Sequence, residues 1–245
     1  DAHLDAIAKK GSAFRDEAVR ERVAGLLERL GDSEVLAMAG LGAAEGDMRR
    51  EFRETDYSNF HRRSAHALSL LNENRDTLRR WAAGEAVEPI TVDLDYERQK
   101  QTEDLFGIVI ENFLRPSYAL VLQAYWAYLT DPIPIRALRA VERVAAETRG
   151  RGGREMMLAI LLIAGTSSGR ELALNIMKLQ NKTGLAETFD AAWNTSFDLT
   201  YTRLAVSMPL QGTLPEPVVF VTVDKHLSTF VNTIEPQGGG QVANG

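Results

Sequence analysis

Four acids stand out by their positions along the chain: Asp1, Glu45, Asp198 and Asp224. Asp224 closes the run Pro217-Val218-Val219-Phe220-Val221-Thr222-Val223, an apolar, β-branched stretch that predicts a buried strand of a parallel sheet. In an open α/β sheet, ligands bind beyond the carboxyl ends of the strands, where Thr222 and Asp224 would lie. Glu45 follows a second short apolar run, Val35 to Ala39, just past Gly40 and Gly42. Asp198 stands at a polar-to-apolar transition before Leu199, and Asp1 opens Asp-Ala-His-Leu-Asp. Carboxylates that converge at a sheet edge make a hard, oxygen-rich site suited to Mg²⁺ or Mn²⁺. Such a site can activate water and clamp the oxygens of a phosphodiester during in-line displacement. A Thr222 hydroxyl beside it could orient water or phosphate. Each acid also has a structural reading. Asp1 can be a solvated terminal residue, Glu45 a first-turn acid on a helix dipole, Asp198 an N-cap (with Asp190 the alternative in another register), and Asp224 a turn or cap residue.

Basic residues supply the complementary charge. Arg49, Arg50 and Arg53, followed by Arg62 and Arg63, lie near Glu45 in sequence, where they could position phosphates. A second group comprises Arg136, Arg139, Arg143, Arg149, Arg151 and Arg154. It reads better as a solvated helix face paired with Glu142 and Glu147. Gly150 to Gly153 is not a P-loop, because no Lys-Ser/Thr pair follows it. His61 and His66 are five residues apart rather than the four of a helical zinc pair, and Arg62 to His66 is short for a helical Arg–His ribonuclease motif. Trp126 with Tyr118, Tyr125 and Tyr128 predicts an aromatic cluster in a core.

The elements that must carry these residues are mostly helical. Apolar positions at helical spacing predict helices over 14–30, 136–148, 154–164, 168–181 and 186–208, with Ser168 as an N-cap and Gly31 as a stop. Residues 46–86 read as charged helix, 103–129 as an apolar helical region restarted at Pro116, and a short helix begins near 225. Residues 89–98 read as an alternating connection, and the Gly-rich tail 235–245 has almost nothing to bury. The 245 residues carry a net charge of −6, which does not suggest nucleic-acid binding outright and is compatible with a carboxylate-rich site. Without cysteine there is no disulfide, thiolate zinc site or Cys nucleophile. The longest apolar run, Met156 to Ala164, is too short to span a bilayer, so a soluble cytoplasmic protein with no membrane partner is expected.

The acids in this order resemble a PIN-like domain, the metal-dependent nuclease fold of many toxins and RNA-processing enzymes. Asp1-Ala2-His3-Leu4 is similar to the opening Asp-x-Asn-x-hydrophobic turn of that family, with His3 in place of Asn and Asp5 as the alternative acid. Glu45 fits its early helix Glu, Asp198-Leu199-Thr200 its helix-head Asp before an apolar segment (here Tyr201 to Val206), and Thr222-Val223-Asp224 its closing Thr-x-Asp. The resemblance implies an α/β fold, a PIN-like three-layer core on a parallel sheet, built from 1–50 and 186–234. A large helical insertion at 51–185 and a tail at 235–245 would complete the chain. It also implies a strand ahead of Asp1. Asp1, Glu45, Asp198 and Asp224 would bind Mg²⁺ or Mn²⁺, Thr222 would assist, and RNA would be the substrate. The implied activity is that of a metal-dependent ribonuclease, as in toxin–antitoxin or phage-defence effectors restrained by an inhibitory protein partner; self-association is compatible with it. The competing reading is a non-catalytic, α-rich interaction module. A phosphatase or nucleotide hydrolase would use the same acids.

Overall fold

Asp16 starts the best-defined helix of the N-terminal part: its carboxylate accepts from the Val19 amide at 3.1 Å, and Glu17 adds negative charge at the same end. A computed structural model describes residues 2–31, 57–92, 104, 107–148, 152–178, 184–210 and 224–233. The chain divides into two compact units, Asp1–Ile108 and Val109–Gly245.

The first unit holds α1 (Ala2–Lys10), a 3-10 turn (Gly11–Ala13), α2 (Glu17–Leu30), α3 (Tyr57–Asn72) and α4 (Arg75–Ala82). α1 packs on α3, α2 on α4, and α3 on α4. Leu4, Ile7 and Ala8 of α1, Val19, Val23 and Leu27 of α2, and Leu70, Leu78 and Trp81 of the later helices share one core. Trp81 is fully buried; its indole N–H donates to the Phe14 carbonyl at 3.3 Å, its ring stacks on Phe14 at 5.8 Å, and the Arg20 guanidinium lies 5.5 Å from the ring centre. Val87 closes this core from an extended segment held by backbone hydrogen bonds to Ser12 and Ala8. Gly11 makes that approach feasible. Its φ is +50°, and a Cβ there would stand 2.3 Å from the Val87 carbonyl oxygen.

The second unit opens on one wide π-type turn, Ile110–Leu114, which runs directly into α5 (Arg115–Thr130). Pro116 sits in the first turn of α5, where its missing N–H costs nothing. Then follow α6 (Pro134–Glu147), α7 (Gly153–Ala164), α8 (Ser167–Ile176), α9 (Leu185–Leu210) and α10 (Lys225–Thr233). α5 is central, packed by α6, α7 and α9, and α8 joins α7 to α10. Its core gathers Leu120, Val121 and Ala124 of α5 with Val141, Leu158, Leu162, Ile176, Leu199 and Phe230. Along α9, Trp193, Phe197 and Tyr201 recur every fourth residue and touch ring to ring, with Tyr118 edge-on to Trp193 at 5.4 Å. Three buried hydroxyls on this helix are satisfied by carbonyls: Thr195 donates to Ala191, Ser196 to Ala192 and Thr202 to Leu199.

No strand occurs among the described residues, and the fold is mostly helical. The expected α/β class, with a PIN-like three-layer core on a parallel sheet, is therefore corrected. The physical reason lies in how apolar surface is buried: every described core position belongs to a helical stripe facing other helices, or to a short extended segment with no ladder partner. Tyr201 to Val206 continue α9 to Leu210, in keeping with the helix expected over 186–208 and not with a helix head at Asp198. The runs 35–39 and 217–223 and the tail 235–245 lie outside the described residues. No helix among the described residues is long and apolar enough to cross a membrane.

Candidate carboxylate site

Three elements of the second unit converge on Asp198. It lies in the middle of α9, so neither a helix-head position nor an N-cap describes it. Lys178, just past α8, donates its ammonium to the Asp198 carboxylate at 3.0 Å. Lys178 holds a φ of +53°, an uncommon left-handed conformation for a residue with a side chain, in the turn where Met177 and Lys178 amides close the end of α8. Asp224 precedes α10 and is its N-cap: one carboxylate oxygen accepts from the amides of His226 at 2.9 Å and Leu227 at 3.0 Å.

The electrostatics tie the two acids together. Burial is the largest influence on Asp198 and pushes its carboxyl above the usual range. The charge and hydrogen bond of Lys178 pull it down, and the charge of Asp224 pushes it up again. Two acids separated by 26 residues (224 − 198) are thus near enough for one to oppose the ionisation of the other. The donor set suits a hard cation: Mg²⁺ keeps several waters and commonly takes one or two protein carboxylates. Among the described residues, no group of three or more His, Cys, Asp or Glu side chains is placed to hold a metal. The described donors are therefore these two, with Lys178 as a competing cation.

Asp1, Glu45, Thr222, Arg49, Arg50 and Arg53 lie outside the described residues. Of the remaining arginines, Arg136 pairs with Asp131 rather than with Glu142 or Glu147, and Arg154 leaves the solvated face altogether. Arg154 donates to the Thr202 hydroxyl at 2.7 Å. Beside it, the buried Glu155 is bridged through both carboxylate oxygens by Arg203 of α9. Neither this pair nor Lys178 was marked by sequence reasoning, because residues 48 and 20 positions apart show no local pattern that couples them. Trp126, expected in a core, is 63% exposed, whereas its neighbour Tyr118 packs inward on Trp193.

The first unit has its own polar cluster. Asp5, the alternative acid near the start of the chain, is buried and accepts from His66 Nδ1 at 2.7 Å and from Lys9 at 2.7 Å, with Arg63 at 3.9 Å. An ionised acceptor requires the proton on Nδ1 of the imidazole. Burial alone would raise the Asp5 carboxyl; the hydrogen bonds and charges of Lys9 and His66 outweigh it and hold it below the usual carboxylate range. A depressed acid stabilises the fold above its ordinary value, and that contribution is lost as pH falls through the depressed value. Asp5→Asn is therefore expected to destabilise the first unit by about 1–3 kcal/mol at pH 7. In denaturant titrations the gap from wild type should narrow below pH 4; a gap constant down to pH 2.5 would contradict this account. Comparisons with family models, with characterised proteins and with solved structures find no match to this chain.

Proposed function

We propose that the chain is a divalent-cation-dependent hydrolase of RNA phosphodiester bonds, with Asp198 and Asp224 as protein ligands of the cation. The observation that carries the reading is a half-buried Asp198 carboxylate held by the Lys178 ammonium at 3.0 Å, near enough to the Asp224 cap to feel its charge, which a bound cation would offset. The reading rests on carboxylate chemistry and needs no parallel sheet. Bound Mg²⁺ or Mn²⁺ supplies an activated water and neutralises charge on the transferring phosphoryl group. The residues do the rest. Asp224 is pinned by two amides of α10, which fixes one ligand direction without a mobile side chain. Lys178 can exchange the Asp198 carboxylate for a phosphate oxygen as substrate arrives, because its ammonium is partly exposed. An inhibitory protein partner remains the proposed restraint.

Titration with Mn²⁺ in a calorimeter tests the reading. Wild type should bind, and its melting temperature should rise with Mn²⁺ by mass action. Asp198→Asn should do neither, while melting no lower than wild type without metal, since an acid whose carboxyl is pushed up by burial costs stability once ionised at neutral pH. Equal Mn²⁺ binding by both proteins would remove the site. The reading as an α-rich interaction module is favoured by a different observation, the apolar surface that α5 and α6 leave uncovered.

A further inference from the structure

One turn of α9 receives a basic side chain from α7 and another from the end of α8. Asp198 and Thr202 are four residues apart on α9, so they share one side of it, with about 5–6 Å between Cβ atoms. Lys178, just past α8, donates to Asp198 at 3.0 Å. Arg154, in the first turn of α7, donates to the Thr202 hydroxyl at 2.7 Å. Arg154 therefore stands beside the carboxylate site, remote from it in sequence and one helical turn from it in space.

The two basic residues differ in what holds them. Lys178 has the Asp198 carboxylate for a partner. Arg154 has a neutral hydroxyl, and it forms no ion pair among the described residues. The acid next to it in the chain, Glu155, is fully buried and already bridged through both oxygens by Arg203, whose guanidinium also lies 5.9 Å from the centre of the Phe113 ring. One carboxylate thus serves two guanidinium groups. Burial first, and then the charge of Arg203, disfavours the charged form of Arg154, and the pull of Glu155 offsets this in part.

Arg154 is half-buried, carries surplus positive charge and has most of its N–H donors unspent among the described residues. A planar fork of donors in that state matches the oxygens of a phosphate group, two at a time. We propose that Arg154 is the phosphate-binding residue of the Asp198 site, holding a phosphate group of the substrate one helical turn from the cation ligands. Arg203, by occupying Glu155, keeps the Arg154 guanidinium available for that role. That the phosphate belongs to RNA rests on the reading of Asp198 and Asp224 as cation ligands; the affinity of Arg154 for phosphate does not.

Phosphate binding without metal tests the residue apart from that reading. In buffer containing chelator, with chloride at equal ionic strength as reference, inorganic phosphate should raise the melting temperature of the full chain. Arg154→Met should melt no lower than wild type without phosphate, since it removes the charge that Arg203 opposes, and phosphate should no longer raise its melting temperature. Its phosphate dissociation constant by calorimetry should rise about 10-fold or more. Arg154→Lys should keep a weakened response, because a point charge replaces the fork. With Mn²⁺ restored, Arg154→Met should bind the cation at least as tightly as wild type and cleave RNA with KM raised about 10-fold or more. A short single-stranded RNA that displaces phosphate from wild type supports the nucleic-acid backbone as its source. Displacement by a mononucleotide but not by RNA overturns that assignment in favour of a small phosphate ester. Equal responses to phosphate in wild type and Arg154→Met, or none in either, overturn the proposal. Arg154-dependent phosphate binding in a chain that binds no Mn²⁺ would overturn the cation reading alone.

Discussion

An Asp224→Asn protein is expected to fold as wild type does and to lose Mn²⁺-dependent RNA cleavage by about 100-fold or more. Asparagine caps a helix as well as aspartate, so the bonds to the His226 and Leu227 amides survive and α10 keeps its start. What disappears is the charge. The substitution also removes the contribution of Asp224 that pushes the Asp198 carboxyl upward, so Asp198 should titrate closer to its ordinary value when followed by carboxyl NMR. Asp224→Ala is the useful contrast: it removes cap and charge together and should lower stability by about 1 kcal/mol as well. Full cleavage by Asp224→Asn, or cleavage insensitive to chelator, would dismiss the two-carboxylate site.

The largest stability effect belongs to Glu155. Its side chain is fully buried and bridges to Arg203, which also lies 5.9 Å from the centre of the Phe113 ring at the π-type turn. Arg154 is next to it, its guanidinium pushed below the usual arginine range by burial and then by the charge of Arg203, against the pull of Glu155. Glu155→Ala leaves two desolvated guanidinium groups facing each other without a counterion. The expected loss is about 3–5 kcal/mol, or roughly 10 °C in the melting of the second unit. The pair as such is a weaker asset than either member: Glu155→Met with Arg203→Leu should recover most of the loss, because apolar packing replaces a buried ion pair at little cost. Calorimetric melting of the three proteins distinguishes the cases. A Glu155→Ala protein that melts like wild type would mean that the bridge carries no such weight.

Local pattern made the helices legible and left their partners hidden. Val19, Val23 and Leu27 recur at helical spacing and are buried in α2; Ala137 and Val141 do the same in α6. Pro116 marks a fresh helical start, which the first turn of α5 contains. Boundaries moved where side-chain chemistry decided them: the cap of α8 is Thr166 rather than Ser168, because its hydroxyl accepts from the Gly169 amide. Fold class was misjudged on composition. The β-branched run before Asp224 outweighed the helical periods around it, although a strand in a sheet requires partners that no local pattern specifies. At the carboxylate site, Asp224 was marked by sequence as both a site candidate and a cap, and it is a cap close enough to bear on Asp198. Lys178 gave no signal, since its role depends on a left-handed turn at the end of α8. Trp126 was assigned to a core because its type suggests one; its place on the outer stripe of α5 decided otherwise.

Each unit buries one indole, Trp81 in the first and Trp193 in the second, and the third indole, Trp126, is exposed. Phenylalanine at 126 would leave one fluorophore for each unit. The emission of such a chain, followed through a denaturant series, reports two unfolding equilibria at once, one quenched or shifted as the Phe14 stack opens and the other as the α9 aromatic row separates from Tyr118. A single free energy for the whole molecule is defined only where those two midpoints coincide.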